Sequence, residues 1–160
     1  MGAEPEHRKF LAEGRDDPRP EFLRRLKSAI EPVGSILIFN ATFEKDRLKE
    51  CAETFPQFEP WVEVVTNRMV DLIIPFKGFQ FYHPDQCGSA SLKYVLPALT
   101  GKDYKGLEIQ EGGMASREFL RLTFTDIAES ERARVRRALD LYCGQDTEGM
   151  VWILGALRSV

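Results

Sequence analysis

Two carboxylates and a phenol stand where chemistry could be built. Glu44 closes the run Phe39-Asn40-Ala41-Thr42-Phe43-Glu44, directly after an apolar stretch. If that stretch is a strand, Glu44 lies on the first helical turn beyond its carboxyl end, where sites gather in open α/β sheets. The plainer alternative is a capped helix with an acid stabilised near its N-terminus. Tyr142 and Asp146 stand four residues apart and on a helix would share one side. A phenol beside a carboxylate can orient a water held by a metal. Equally, it can be a core tyrosine whose hydroxyl meets an exposed acid. Lys93 falls in the first turn of a helix start, Ser89-Ala90-Ser91-Leu92-Lys93. It suits a phosphate or backbone contact, or simply the surface of a capped helix. His83-Pro84-Asp85 reads as a turn.

Other chemistries lack their residues. There is no Gly-rich phosphate loop, no GxSxG, no HExxH and no zinc-spaced Cys/His set. With only His7 and His83 present, a Ser-His-Asp or Cys-His mechanism is poorly supplied. Asp146-Thr147-Glu148 lies in a helical setting, where residues two apart diverge. Arg132, Arg134, Arg136 and Arg137 read as a solvated helix face. The net charge of −3 makes no case for nucleic acid from bulk electrostatics. It does not exclude one, because acids that hold divalent metals lower the total.

These residues need a scaffold. A chain of 160 residues predicts one domain that buries about 68–70% of its unfolded surface. Hydrophobic residues at 43% and charged residues at 29% are globular values. No apolar run approaches the ~18 residues of a membrane span. The start, MGAEPEHRKF, has no signal-peptide core, and Met1-Gly2 lacks the Ser/Thr of a myristoylation site. Cys51, Cys87 and Cys143 form no CxxC pair. A reduced, cytoplasmic chain is expected.

Residues 1–19 form a polar segment in which His7 to Leu11 reads as the end of a strand, and residues 20–160 form the domain proper. Phe22, Leu23, Leu26 and Ile30 predict a helix over 20–31. Ser35 to Phe39 reads as a strand buried on both faces, in a parallel sheet because helices flank it. Asn40 or Thr42 can cap the helix that follows. Trp61, Val65, Met69, Leu72 and Ile73 predict one helix ending near Pro75. Residues 76–88 read as an aromatic loop or short β-excursion, and Pro97 should kink or end a helix begun near Ser91. Ala115 to Thr123 looks helical. Ser130 should cap a helix that Gly144 interrupts, with a strongly apolar helix after it. One strand makes no sheet, so further strands are expected in 5–12 and 76–83 or in chain outside this sequence.

Taken together, the segments resemble the later motifs of the DEDD-type 3′–5′ exonuclease superfamily, whose fold is ribonuclease H-like. Asn40-Ala41-Thr42-Phe43-Glu44, with Leu48 following, resembles its second motif, Asn-x-x-Phe-Asp, with Glu44 in place of Asp. Met69-Val70-Asp71-Leu72 resembles a common intermediate segment, and Ser91-Leu92-Lys93 the helix start after it. Tyr142-x-x-x-Asp146 resembles the third motif in its tyrosine form. A closer resemblance is to an uncharacterised bacterial family of domains of unknown function found toward the C-terminus of larger proteins. Its members read YNASFEKxRL, a YHPD-type loop, SIKKVLPAL and YCKLDT. Here the strings are FNATFEKDRL, YHPD, SLKYVLPAL and YCGQDT, over roughly residues 7–158.

The resemblance implies a helix-rich α/β, ribonuclease H-like fold whose first strands are absent from this chain, together with the superfamily's first motif, a strand-borne Asp-x-Glu. In the complete parent protein it implies Glu44 and Asp146 as ligands of Mg²⁺ or Mn²⁺, with Tyr142 orienting the attacking water. Asn40 and Phe43 would contact the terminal nucleotide and Lys93 a phosphate, with Asp71 as an accessory acid. The reaction would be phosphodiester hydrolysis at a single-stranded 3′ end. With two of four carboxylates, the chain alone is expected to be inactive or nearly so. The rival expectation is an interaction module that keeps the fold without the chemistry. An open sheet edge would favour a homodimer, and no membrane partner is expected.

Overall fold

The computed structural model describes residues 5–159. Helix α1 (Arg19–Ala29) leads through a turn to strand β1 (Ile36–Ile38). Helices α2 (Ala41–Thr54) and α3 (Glu59–Asn67) cross over to strand β2 (Met69–Asp71). The strands pair in parallel, Ile36 opposite Met69 and Ile38 opposite Asp71. Parallel strands require such a crossover. Backbone bonds extend the ladder at both ends, from Ile36 N to the Arg68 carbonyl at 3.0 Å and from Leu72 N to the Ile38 carbonyl at 2.9 Å. The Arg68 guanidinium donates to the carbonyls of Gly34 and Glu31, both at 2.8 Å, and so ties down the turn before β1.

After β2 the chain makes a single helical turn, α4 (Ile74–Lys77), and a 3-10 turn at Pro84–Gln86. Then come α5 (Leu92–Thr100), α6 (Gly112–Phe124) and α7 (Glu129–Leu157). Both α5 and α6 pack along α7. The apolar interior has three parts. One gathers Leu23, Leu48, Phe58, Val62 and Val65 from α1 to α3. A second joins Phe76, Val95, Leu96, Tyr104 and Ile153. The third joins Ile109, Leu122, Val135 and Leu139. Tyr142 packs against the second and third. Burying each large side chain contributes roughly 1.5–3 kcal/mol.

The molecule is helix-rich and mixed α/β, and several elements depart from expectation. Residues 7–11 form no strand. They are held as irregular chain by Lys9 on Asp140 (2.6 Å) and by Arg136, which donates to the Leu11 and Ala12 carbonyls at 3.0 Å. Arg136 is therefore not merely a solvated arginine. Neither is Arg132, which donates to the Leu122 carbonyl at 2.8 Å. The helix expected to run to Ile73 stops at Asn67, and the second strand lies at 69–71, not in 76–83. In β1 only Ile38 is fully buried, because no further described strand or helix layer covers Ile36 and Leu37 completely. Pro97 lies inside α5 and does not end it at once. The helix runs on to Thr100 and closes at Gly101, whose φ of 70° is the left-handed cap that glycine accepts freely. Gly144 does not interrupt α7, and Ala128, not Ser130, holds the N-cap position.

Candidate functional site

An open cleft of about 580 Å³ lies beyond the carboxyl ends of both strands. Phe39 and Asn40 reach it directly after β1, Glu44 from the first turn of α2, and Ile73 and Lys77 after β2. The opposite wall is Ala90 to Leu92, where α5 begins, and Asp146, Thr147 and Met150 on α7. Because the strands are parallel, their carboxyl ends share one edge, the place where α/β sheets form clefts.

Asp71 builds the first wall. Its carboxylate accepts from the backbone N–H of Asn40 (2.9 Å), Ala41 (2.8 Å) and Ile73 (3.0 Å). It thus caps α2 from the neighbouring strand. Asn40 occupies the N-cap position in the left-handed region (φ 73°) and makes no side-chain cap, contrary to the expectation that Asn40 or Thr42 would do so. Burial pulls the Asp71 carboxyl upward, but the three N–H donors outweigh it and hold its pKa below the usual value.

Glu44 faces the cleft with its Oε2 buried and without a hydrogen-bond partner. Burial raises its pKa, and the nearby Asp71 charge pushes the same way, against the pull of a backbone N–H. A buried carboxyl oxygen without a donor is costly, and it belongs to a residue that lines the cleft.

Across the cleft, Asp146 Oδ1 accepts a 2.6 Å hydrogen bond from the Tyr104 hydroxyl. Burial raises the Asp146 pKa, while Tyr104 and Tyr142 oppose the rise. The two tyrosine rings lie 5.9 Å apart, and burial first, then Asp146, raises both phenol pKa values. Tyr104 is 5% exposed and comes from the segment between α5 and α6. Sequence reading missed it, because that segment carries no periodicity. The only signal was a large aromatic among Lys102, Asp103 and Lys105.

The cleft therefore brings together Asn40, Glu44 and Asp146. Tyr142 stands behind Asp146 without lining it. Lys93 is exposed one residue past the wall, and Phe43 is 62% exposed with the Arg47 guanidinium 5.6 Å from its ring centre. His83 and Asp85 form a capped turn, in which Gln86 Oε1 accepts from His83 N at 2.8 Å. Cys51, Cys87 and Cys143 are unpaired. Among the described residues, no helix is long and apolar enough to cross a membrane, and no group of three or more His, Cys, Asp or Glu is placed to hold a metal ion. Mg²⁺ keeps several waters and can use one or two carboxylates. Glu44, with its free buried oxygen, and Asp146 on the facing wall fit that donor set, but not the larger set a two-ion site needs.

A Mycoplasma pneumoniae (strain ATCC 29342 / M129 / Subtype 1) protein, described as the uncharacterized protein MG366 homolog, is 27% identical over 132 residues. The alignment covers 74% of this chain but 20% of that relative, so the chain spans about a fifth of its length. No solved structure matches the chain. The family model for the domain of unknown function DUF2779 matches residues 1–91. That range takes in Asn40, Phe43, Glu44 and Asp71 and stops before Lys93, Tyr142 and Asp146. With more than half of its length matched, the chain belongs to the DUF2779 family.

Proposed function

We propose that this chain is part of a ribonuclease H-like, 3′–5′ exonuclease-type domain that hydrolyses phosphodiesters of nucleic acid within a longer cytoplasmic protein. One observation carries the reading. Glu44 and Asp146, far apart in sequence, reach the same cleft beyond the carboxyl ends of two parallel strands. In the complete site Glu44 and Asp146 hold Mg²⁺ or Mn²⁺. Such an ion, once bound, supplies Lewis acidity and a more acidic water. Tyr104 fixes the orientation of the Asp146 carboxylate, and Tyr142 helps to keep it ionised despite burial. Asn40 places its side chain at the rim for the terminal nucleotide, Phe43 offers a ring beside it, and Lys93 meets a phosphate. Asp71 shapes the wall rather than acting as an accessory ligand, since three N–H groups already occupy it. Strands carrying an Asp-x-Glu, from upstream in the longer protein, extend the two-stranded sheet. Failing that, the open edge pairs with a second copy.

The test is a protein extended upstream to include a strand-borne Asp-x-Glu, given Mn²⁺ and a 5′-labelled single strand. It should shorten the strand from its 3′ end, and Glu44→Gln or Asp146→Asn should slow this at least ~100-fold. Strands left intact, or an unchanged rate in Asp146→Asn, would refute the proposal. A non-catalytic interaction module is the second reading. It is favoured by the Tyr104 bond, which already occupies one Asp146 oxygen, and by Glu44 standing where the superfamily motif has Asp. That module predicts no shortening under any of these conditions.

A further inference from the structure

We propose that the turn carrying Phe79 and Tyr82 is a stacking platform for unpaired bases of a single-stranded nucleic acid. As the occupant of the adjoining cleft, this strand rests on the function proposed above. The turn leaves the cleft wall at Lys77 and returns to it at Ala90. Its two outward rings are 69% and 47% exposed and lie 5.8 Å apart. They are not loose. Gly78 N bonds to the Ile74 carbonyl at 2.9 Å and Phe81 N to the Pro75 carbonyl at 3.1 Å. Beneath them the Phe81 ring packs edge-on against Phe76, with centroids 5.8 Å apart. Phe79 itself has φ 52°, a left-handed conformation that bulky residues avoid. A rigid base thus holds an aromatic residue outward where glycine would be the easier choice.

The chemistry fits bases better than a protein. Two exposed rings stack on any base, and Lys77, where the turn leaves the cleft wall, gives that wall a cation suited to a phosphate. Two aromatic side chains cover about 150–250 Å² each. A stable protein interface needs about 800 Å² per side.

The experiment measures binding alone, with EDTA present, by the fluorescence anisotropy of a 5′-fluorescein oligothymidylate and the 160-residue chain. Binding should weaken about tenfold in Phe79→Ala and again in Tyr82→Ala, since each stacked base contributes about 1–3 kcal/mol. An abasic strand with the same phosphates should bind as poorly as the double variant does to oligothymidylate. Phe79→Gly, which relieves the left-handed backbone, should weaken binding without lowering Tm. That sets a lost contact apart from a lost fold. No binding, equal binding of the abasic strand, or undiminished binding by both alanine variants would overturn the platform. Binding by this chain, together with strands left intact by the upstream-extended protein in Mn²⁺, would leave the platform standing and refute only the nuclease reading.

Discussion

Replacing Asp71 by alanine tests whether the cleft wall is organised by one carboxylate. Three backbone N–H groups lose their acceptor. Asn40 N lies at an exposed residue, where water replaces the carboxylate at little cost. Ala41 is half-buried and opens α2, so its loss resembles that of a helix cap, about 1 kcal/mol. Ile73 is 7% exposed, and a buried donor left without a partner costs about 1–3 kcal/mol. The sum is about 2–4 kcal/mol, against a total stability of about 5–15 kcal/mol for a domain. For this chain length that is a fall in Tm of roughly 5–15 °C. Urea unfolding followed by far-UV circular dichroism at pH 7 reads the difference. The Asp71 carboxyl has its pKa held below its ordinary value of 3.8. Its stabilisation is therefore fully present above the unfolded value and is lost as pH falls through the folded one. The gap between Asp71→Ala and the natural chain should hold from pH 7 to pH 5 and narrow below pH ~4. Asp71→Asn keeps an acceptor, so it should lose less at pH 7 and change less with pH. An Asp71→Ala protein within about 0.5 kcal/mol of the natural chain at pH 7 would refute the assignment. So would a gap that stays constant into acid.

Two glycines of α7 should respond to alanine with opposite signs. At Gly149 a new Cβ would sit 3.2 Å from Leu96 Cδ2, and Leu96 is wholly buried, so overpacking of about 1–3 kcal/mol should exceed the helix gain. At Gly155 nothing lies within 4 Å, so Gly155→Ala should stabilise by about 0.5–1 kcal/mol; equal signs in urea melts would contradict the α5–α7 packing. Glu44→Gln should be more stable than the natural chain at pH 7 and equal to it below pH ~4. The raised Glu44 pKa means that ionisation penalises the folded state increasingly as pH rises above 4.5, and a stability ratio flat across that range would show otherwise. Tyr104→Phe keeps the ring and removes a donor from Asp146, so the Asp146 carboxyl resonance should titrate at higher pH, and an unmoved titration would disprove the coupling.

The residue types at the site were legible, and their supports were not. Glu44 and Asp146 could be paired from the order of the motifs alone, because a strand-to-helix junction and a Tyr-x-x-x-Asp helix each leave a local signature. Asp71 was visible as an acid in an apolar run, yet its task as a cap depends on a three-residue strand. Met69 to Asp71 continue the apolar spacing of α3, and nothing local marks the change from helix to strand. Tyr104 was hidden for the opposite reason, standing in irregular chain where no period exists. Gly144 misled through propensity. Packing of α7 against α5 and α6 outweighs a cost of about 1 kcal/mol for one glycine. The aromatic turn after α4 read as a loop or short β-excursion, and its exposed rings rest on a turn held by Phe76 packed against Phe81.

The division of the interior has a consequence for how the molecule opens. The first cluster draws only on residues between Phe22 and Met69, while the other two are built mainly from residues beyond Asp71. Such contiguous blocks open as separate cooperative units in native-state hydrogen exchange. Phe39, directly after β1, packs into the second cluster and so joins the two blocks, and Glu44 and Asp146 come from the segments that build different blocks. Whatever bridges those two carboxylates ties the blocks together. Its binding would register as slower exchange of amides in α2 and α7, far beyond the residues it touches.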